Sequence, residues 1–126
     1  MPAMSTKLLA GERALITGCG GGIGRGIAKA LREEGALVLG SDIKPPPAED
    51  GIDFLAADLG QRDGWRKLLD GAVKKLGTIS LFVHAASPRR REVDTPLSVS
   101  EETWDAMTGI NLRAGFFLAQ IGRAHV

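Results

Sequence analysis

Tyrosine is absent from this chain and cysteine nearly so. Without a phenol, none of the 126 residues can act as a tyrosine acid or base. The single cysteine, Cys19, excludes an internal disulfide framework and fits a reducing compartment. Charge of one sign is not in excess, since 16 lysines and arginines stand against 15 acidic residues. That balance gives no electrostatic footprint for nucleic acid or an anionic membrane, so a small molecule is the expected partner. No apolar run approaches the ~20 residues of a spanning helix, and no signal-peptide pattern opens the chain. A cytoplasmic setting is the expectation.

What the chain does have is glycine, 17 of them, and enough apolar residues (44%) for one globular core. Residues 1–7 read as a flexible amino terminus, 8–120 as one α/β domain, and 121–126 as a tail of separate origin. The tail, IGRAHV, can be encoded by ATC GGA AGA GCA CAC GTC, a string similar to the start of a common sequencing adapter; the expectation is a native sequence broken after Gln120.

Apolar runs and helical periodicities alternate along the domain. ERALITG rises into a buried strand ending near Thr17. From Ile23 to Glu34, Ile23, Ile27, Ala30 and Leu31 fall on one helical face, and Gly35 stops the helix. ALVLGSD, IDFLAAD and ISLFVHAA read as three further strands, with Pro45-Pro46-Pro47 barred from sheet and helix. Between the last two, Trp65, Leu68, Leu69, Ala72 and Leu76 mark a helix that ends at Gly77. A longer helical pattern starts near Glu101, with Trp104, Met107, Phe116 and Phe117 expected to pack on the sheet. Strands alternating with helices require crossovers, so the fold class is doubly wound parallel α/β, Rossmann-like, with the first four strands and their helices present. The fourth strand should then carry an open apolar edge, and poor solubility is expected from it.

The densest glycines, in ALITGCGGGIGRGIAKAL, fall where the first strand hands over to the first helix. Such a turn opens at the carboxyl end of a parallel sheet, where ligand crevices form. Glycine permits positive φ and removes the β-carbon, so a diphosphate can approach backbone N–H groups at the positive helix end. The spacing is not G-x-G-x-x-G but T-G-x-x-x-G-x-G, filled by Thr17, Gly18, Gly22 and Gly24.

In that pattern the chain resembles the short-chain dehydrogenase/reductase family. The resemblance implies that Thr17, Gly18, Gly22, Ile23 and Gly24 shape a cofactor diphosphate turn. It implies that Asp42, at the end of the second strand, holds the adenosine ribose hydroxyls, and that Asp58 and Leu59 lie near the adenine. Where the family usually has N-N-A-G after the fourth strand, this chain reads His84-Ala85-Ala86-Ser87 and keeps only Ala86. Asn111, in GINLRAGFF, matches an asparagine of the family's catalytic relay. A carboxylate at Asp42 would repel a 2′-phosphate, so NAD is the expected cofactor; Arg25 and Lys44 are the cations that a less favoured NADP reading would use. The family's serine, tyrosine and lysine for hydride transfer between alcohol and ketone have no match here, and no turnover is expected from this chain alone. A homodimer or homotetramer is implied for the complete enzyme. The alternative class is a regulatory module that binds NAD without chemistry.

Simpler readings stand beside these. Cys19 near a helix start is first a small residue tolerated in a loop, and His84 first a hydrogen-bonded core histidine. Arg89-Arg90-Arg91 reads as a solvated loop, and no metal site is expected.

Overall fold

The structure is a computed structural model that describes residues 7–88 and 94–123. The arginine run and His125 lie outside these residues. Four strands form one parallel sheet: β1 (Arg13–Thr17), β2 (Leu37–Asp42), β3 (Asp53–Ala56) and β4 (Leu81–His84). Their order is β3-β2-β1-β4. The chain therefore winds one way from β1 through β3 and then crosses to the other side of β1. That reversal is the topological switch point, and a crevice opens there beyond the carboxyl ends of the strands. The expected doubly wound architecture is what the chain adopts.

Each helix forms for a local reason. Helix α1 (Gly22–Glu33) has a small apolar face and stops where Gly35 takes φ +97°, a conformation glycine adopts without a Cβ penalty. Helix α2 (Arg62–Leu76) buries Trp65, Leu68, Leu69, Ala72 and Leu76, the positions its period marked, and ends at Gly77 with φ +79°. Each large apolar side chain fully buried there contributes about 1.5–3 kcal/mol.

The two faces of the sheet carry different cores. On one, Ala14, Ile16, Cys19, Ala28, Ala36 and Val38 pack beneath α1. On the other, Leu15, Leu39, Leu59, Trp65, Leu68, Leu69 and Leu118 pack beneath α2 and the last helix.

Three expectations need correction. The long carboxyl-terminal helix is not continuous α: α3 (Glu101–Thr108) passes into a π-helical stretch, Gly109–Ala114, and then into α4 (Gly115–Gly122). The apolar positions on this segment do not all face the sheet, because Trp104 is 62% and Phe116 58% exposed, while Phe117 stacks on Trp65 with centroids 5.1 Å apart. The π-helical stretch changes the residues per turn, so a uniform period misplaces the buried face after it, at Phe116. Trp104 lies before it, on α3, which buries none of its residues. Ile23, expected on the core face of α1, is 80% exposed at the mouth of the glycine turn. Of the hexapeptide 121–126, Ile121 and Gly122 continue α4, with Ile121 against the large-residue core.

Among the described residues no helix is long and apolar enough to cross a membrane.

Candidate functional site

The crevice at the switch point is built around the turn from β1 to α1. Gly18 takes φ +80° and donates its N–H to the Ser41 carbonyl at 2.7 Å, and Cys19 N–H reaches the same oxygen at 3.2 Å. A β-carbon on Gly18 would stand 2.6 Å from the backbone of Ala85 and Ala86, so only glycine lets the turn cross the end of β4. One on Gly24 would stand 1.9 Å from the Gly18 carbonyl oxygen, so α1 can seat its first turn directly on the loop. Gly22, at φ +59°, has nothing within 4 Å of its would-be β-carbon and faces open space. Gly21 caps α1 with no side-chain hydrogen bond, and no acidic residue sits in the first turn. The helix thus presents its positive end and leading N–H groups at the open side of the turn.

Asp42 stands at the rim. Its Oδ2 accepts from Gly20 N–H at 2.9 Å and its Oδ1 from Ile43 N–H at 2.7 Å, so the carboxylate is held in one orientation before any ligand arrives. Asp58 begins the turn after β3, where its Oδ1 accepts from Gly60 N–H at 2.9 Å. Its backbone repeats the Gly18–Gly24 arrangement: a β-carbon on Gly64 would stand 1.9 Å from the Asp58 carbonyl oxygen, so α2 also seats tightly on its preceding turn. Sequence reading missed Gly64, though its distance from Asp58 along the chain equals that of Gly24 from Gly18 and could have signalled it.

The crevice itself is a cavity of about 270 Å³ whose walls include Gly18, Asp42, Asp58, Leu59, Ala86 and Ile110. Five of the residues singled out by the family pattern therefore meet on one surface. Thr17 lies fully buried beneath it, Gly24 is buried behind the turn, and Gly22 and Ile23 lie at the exposed mouth. Asn111 is exposed in the π-helical stretch, next in sequence to the wall residue Ile110. The Ser41 hydroxyl, with Ser41 a further wall residue, is buried without a hydrogen-bond partner.

Two neighbours settle into structural roles. Burial pushes the Cys19 thiol up to about 11, and the nearby Asp42 carboxylate adds to the shift, so the sulfur is a packed thiol rather than a thiolate nucleophile. Arg25 grips the buried Asp50 with Nε to Oδ2 at 2.7 Å and Nη2 to Oδ1 at 2.9 Å. That guanidinium holds the Asp50 carboxyl below its ordinary value. Among the described residues no group of three or more His, Cys, Asp or Glu is placed to hold a metal ion.

With this geometry in view, the comparison with known proteins is direct. The short chain dehydrogenase family model matches residues 12–125. The chain belongs to that family. It is 35% identical to 2-dehydro-3-deoxy-D-gluconate 5-dehydrogenase of Escherichia coli (strain K12), over 97% of this chain and 51% of that protein. Among solved structures, the Thermoplasma acidophilum aldohexose dehydrogenase superposes with a TM-score of 0.84 at 25% identity, covering 95% of this chain and 46% of that one. The 3-ketoacyl-(acyl-carrier-protein) reductase of Brucella melitensis, solved with NADH, gives 0.80 at 28% identity, covering 93% of this chain and 51% of that one. This short-chain dehydrogenase chain spans about half the length of the curated relatives it matches. The named relatives are oxidoreductases, and the family's cofactors are NAD(H) or NADP(H).

Proposed function

We propose that the crevice binds NAD(H), and that the chain is the dinucleotide-binding part of an oxidoreductase interconverting an alcohol and a ketone. The observation that carries the choice of cofactor is the Asp42 carboxylate, locked at the rim by Gly20 and Ile43 N–H groups. A fixed carboxylate there accepts hydrogen bonds from ribose hydroxyls and repels a 2′-phosphate. The NADP reading relies on Arg25 and Lys44, and of these the Arg25 guanidinium is already committed to both oxygens of Asp50.

In this reading Gly22 keeps the open side of the turn clear for the diphosphate, Gly18 and Gly24 let the turn and helix seat closely enough to shape its site, and the leading N–H groups of α1 receive its charge. Ile23 covers the mouth. Asp58 and Leu59 take the adenine, with Ala86 beside the adenosine. The bound nicotinamide supplies a hydride acceptor or donor, which no side chain can be. Asn111 belongs to the acid–base relay of the whole protein. The chain contains no tyrosine, so for these 126 residues by themselves we expect cofactor binding without turnover. A small-molecule alcohol or ketone is the substrate class, and a homodimer or homotetramer is the assembly proposed for the whole enzyme.

The test is a fluorescence titration with NADH and NADPH. NADH should bind at least about tenfold tighter, a difference of about 1.4 kcal/mol. Tighter NADPH binding would overturn the cofactor assignment. Alcohol-dependent NADH production by the pure 126-residue chain would overturn the expectation of no turnover.

A further inference from the structure

His84 stands where the family pattern has asparagine, and its imidazole touches both sides of the crevice. Nδ1 lies 2.8 Å from Thr17 Oγ1, and Nε2 lies 2.7 Å from the Ile110 carbonyl oxygen. The carbonyl can only accept, so Nε2 carries the proton and donates. In the neutral ring Nδ1 then accepts, and the Thr17 hydroxyl donates to it. Thr17 Oγ1 keeps a lone pair for the Ala86 N–H, which donates to it at 3.2 Å. One consistent set of donors therefore runs from the end of β4, through the base of the glycine turn, to the π-helical stretch.

The helix has made room for the ring. A β-carbon on Gly115 would stand 2.7 Å from His84 Cδ2 and 3.2 Å from Nε2, so any larger residue there would push the imidazole off Ile110. The π-helical geometry of Gly109–Ala114 is itself a departure from α that persists where outside contacts over-determine it. The His84 bond to a carbonyl inside that stretch is such a contact. Ile110 is a wall of the crevice.

We infer that His84 is a positioning residue for the dinucleotide crevice, fastening the Ile110 wall and the π-helical stretch to Thr17 beneath the glycine turn. The inference rests on the NAD(H) reading for its ligand, but the fastening itself is a property of the free protein. Reach is what distinguishes histidine here: an asparagine amide coincides with the Nδ1 edge of the ring, whereas a glutamine amide extends toward the Nε2 edge. Asparagine can keep the Thr17 contact and loses Ile110; glutamine can keep Ile110.

The experiment compares the chain with its His84→Ala, His84→Asn, His84→Gln and Gly115→Ala variants in two measurements. In NADH titrations, His84→Ala, His84→Asn and Gly115→Ala should weaken binding about tenfold, and His84→Gln should stay within about threefold of the parent, as expected for one hydrogen bond lost or kept. In amide exchange of the free protein, residues 109–114 should exchange faster in His84→Asn and return toward parental protection in His84→Gln, with the β1 and β2 amides unchanged. A general loss of folding would not reproduce this rescue by the longer amide. Parental binding and exchange in His84→Asn would overturn the inference, as would His84→Gln behaving like His84→Ala in both measurements. If the parent chain binds neither dinucleotide, the NAD(H) reading fails, and exchange in His84→Asn alone decides: faster at 109–114 supports the fastening, parental exchange overturns it.

Discussion

The two faces of the sheet solve different problems. Beneath α1 the core is made largely of small residues, with Ala14, Ala28, Ala36 and Cys19 in its centre. Beneath α2 and α4 it is made of leucines, Trp65 and stacked Phe117. The large-residue face removes more apolar area from water, and burial of that area is the main stabilising term in folding. The small-residue face allows close approach. Gly24 brings the start of α1 onto the Gly18 carbonyl, and Gly40 leaves room for Cys19, whose sulfur would lie 2.6 Å from a β-carbon at that position. Stability is concentrated on one face and access to backbone N–H groups on the other. Gly64 shows the boundary is not absolute, because α2 uses the same close seat on Asp58 while burying a large core.

That contrast can be broken most severely at Gly24. A Gly24→Ala substitution places a methyl against a backbone oxygen that no rotamer change can move, and overpacking of this kind costs about 1–3 kcal/mol or more. NADH binding should fall below detection in a titration, while circular dichroism retains the α/β signature. Binding at parental affinity would show that the helix can shift away from the turn at no cost to the site. The reciprocal change is Leu68→Ala. Leu68 is fully buried in the large-residue core, and its truncation should lower unfolding free energy by about 2–5 kcal/mol. Here the urea midpoint should drop while NADH affinity of the folded protein stays parental; a comparable loss of affinity would mean that the two faces are coupled.

A smaller effect sharpens the comparison at the rim of the α1 face. Arg25 holds the Asp50 carboxyl below its ordinary value, so the pair contributes stability above the unfolded carboxylate range, ~3.9. That contribution is lost as pH falls through the lower folded value. Asp50→Asn should therefore be less stable than the parent at pH 7, with the gap between their urea midpoints closing under acid. A gap constant from pH 7 to pH 3 would show that the ion pair does not carry the difference.

Much of this was legible along the chain. The periods of α1 and α2, the glycine stops at Gly35 and Gly77, and the T-G-x-x-x-G-x-G turn are local signals, each contained within a few residues. The convergence of Asp42 and Asp58 on one crevice followed from the rule that parallel strands place all their carboxyl ends together. Ile23 was misplaced because its apolar character fits a core face equally well, and only the position of the turn mouth decides. Phe116 was misplaced because a π-helical stretch rotates everything after it, and nothing in GINLRAG distinguishes π from α by period. Trp104 precedes that stretch, on α3, which buries none of its residues. His84 could be read as a hydrogen-bonded histidine, but neither its partners nor the vacancy at Gly115 could be named, since Thr17 and Ile110 lie far from it in sequence.

The sequence by itself determined the alternation of strand and helix, the parallel sheet and the position of the glycine turn, because periodicity, β-carbon sterics and crossover geometry act over short spans of chain. Only the tertiary structure decided which groups meet across the switch point: the locked orientation of Asp42, the commitment of Arg25 to Asp50, and the imidazole between Thr17 and Ile110. Those pairings join residues distant in the chain, and their geometry is set by how helices seat on the sheet.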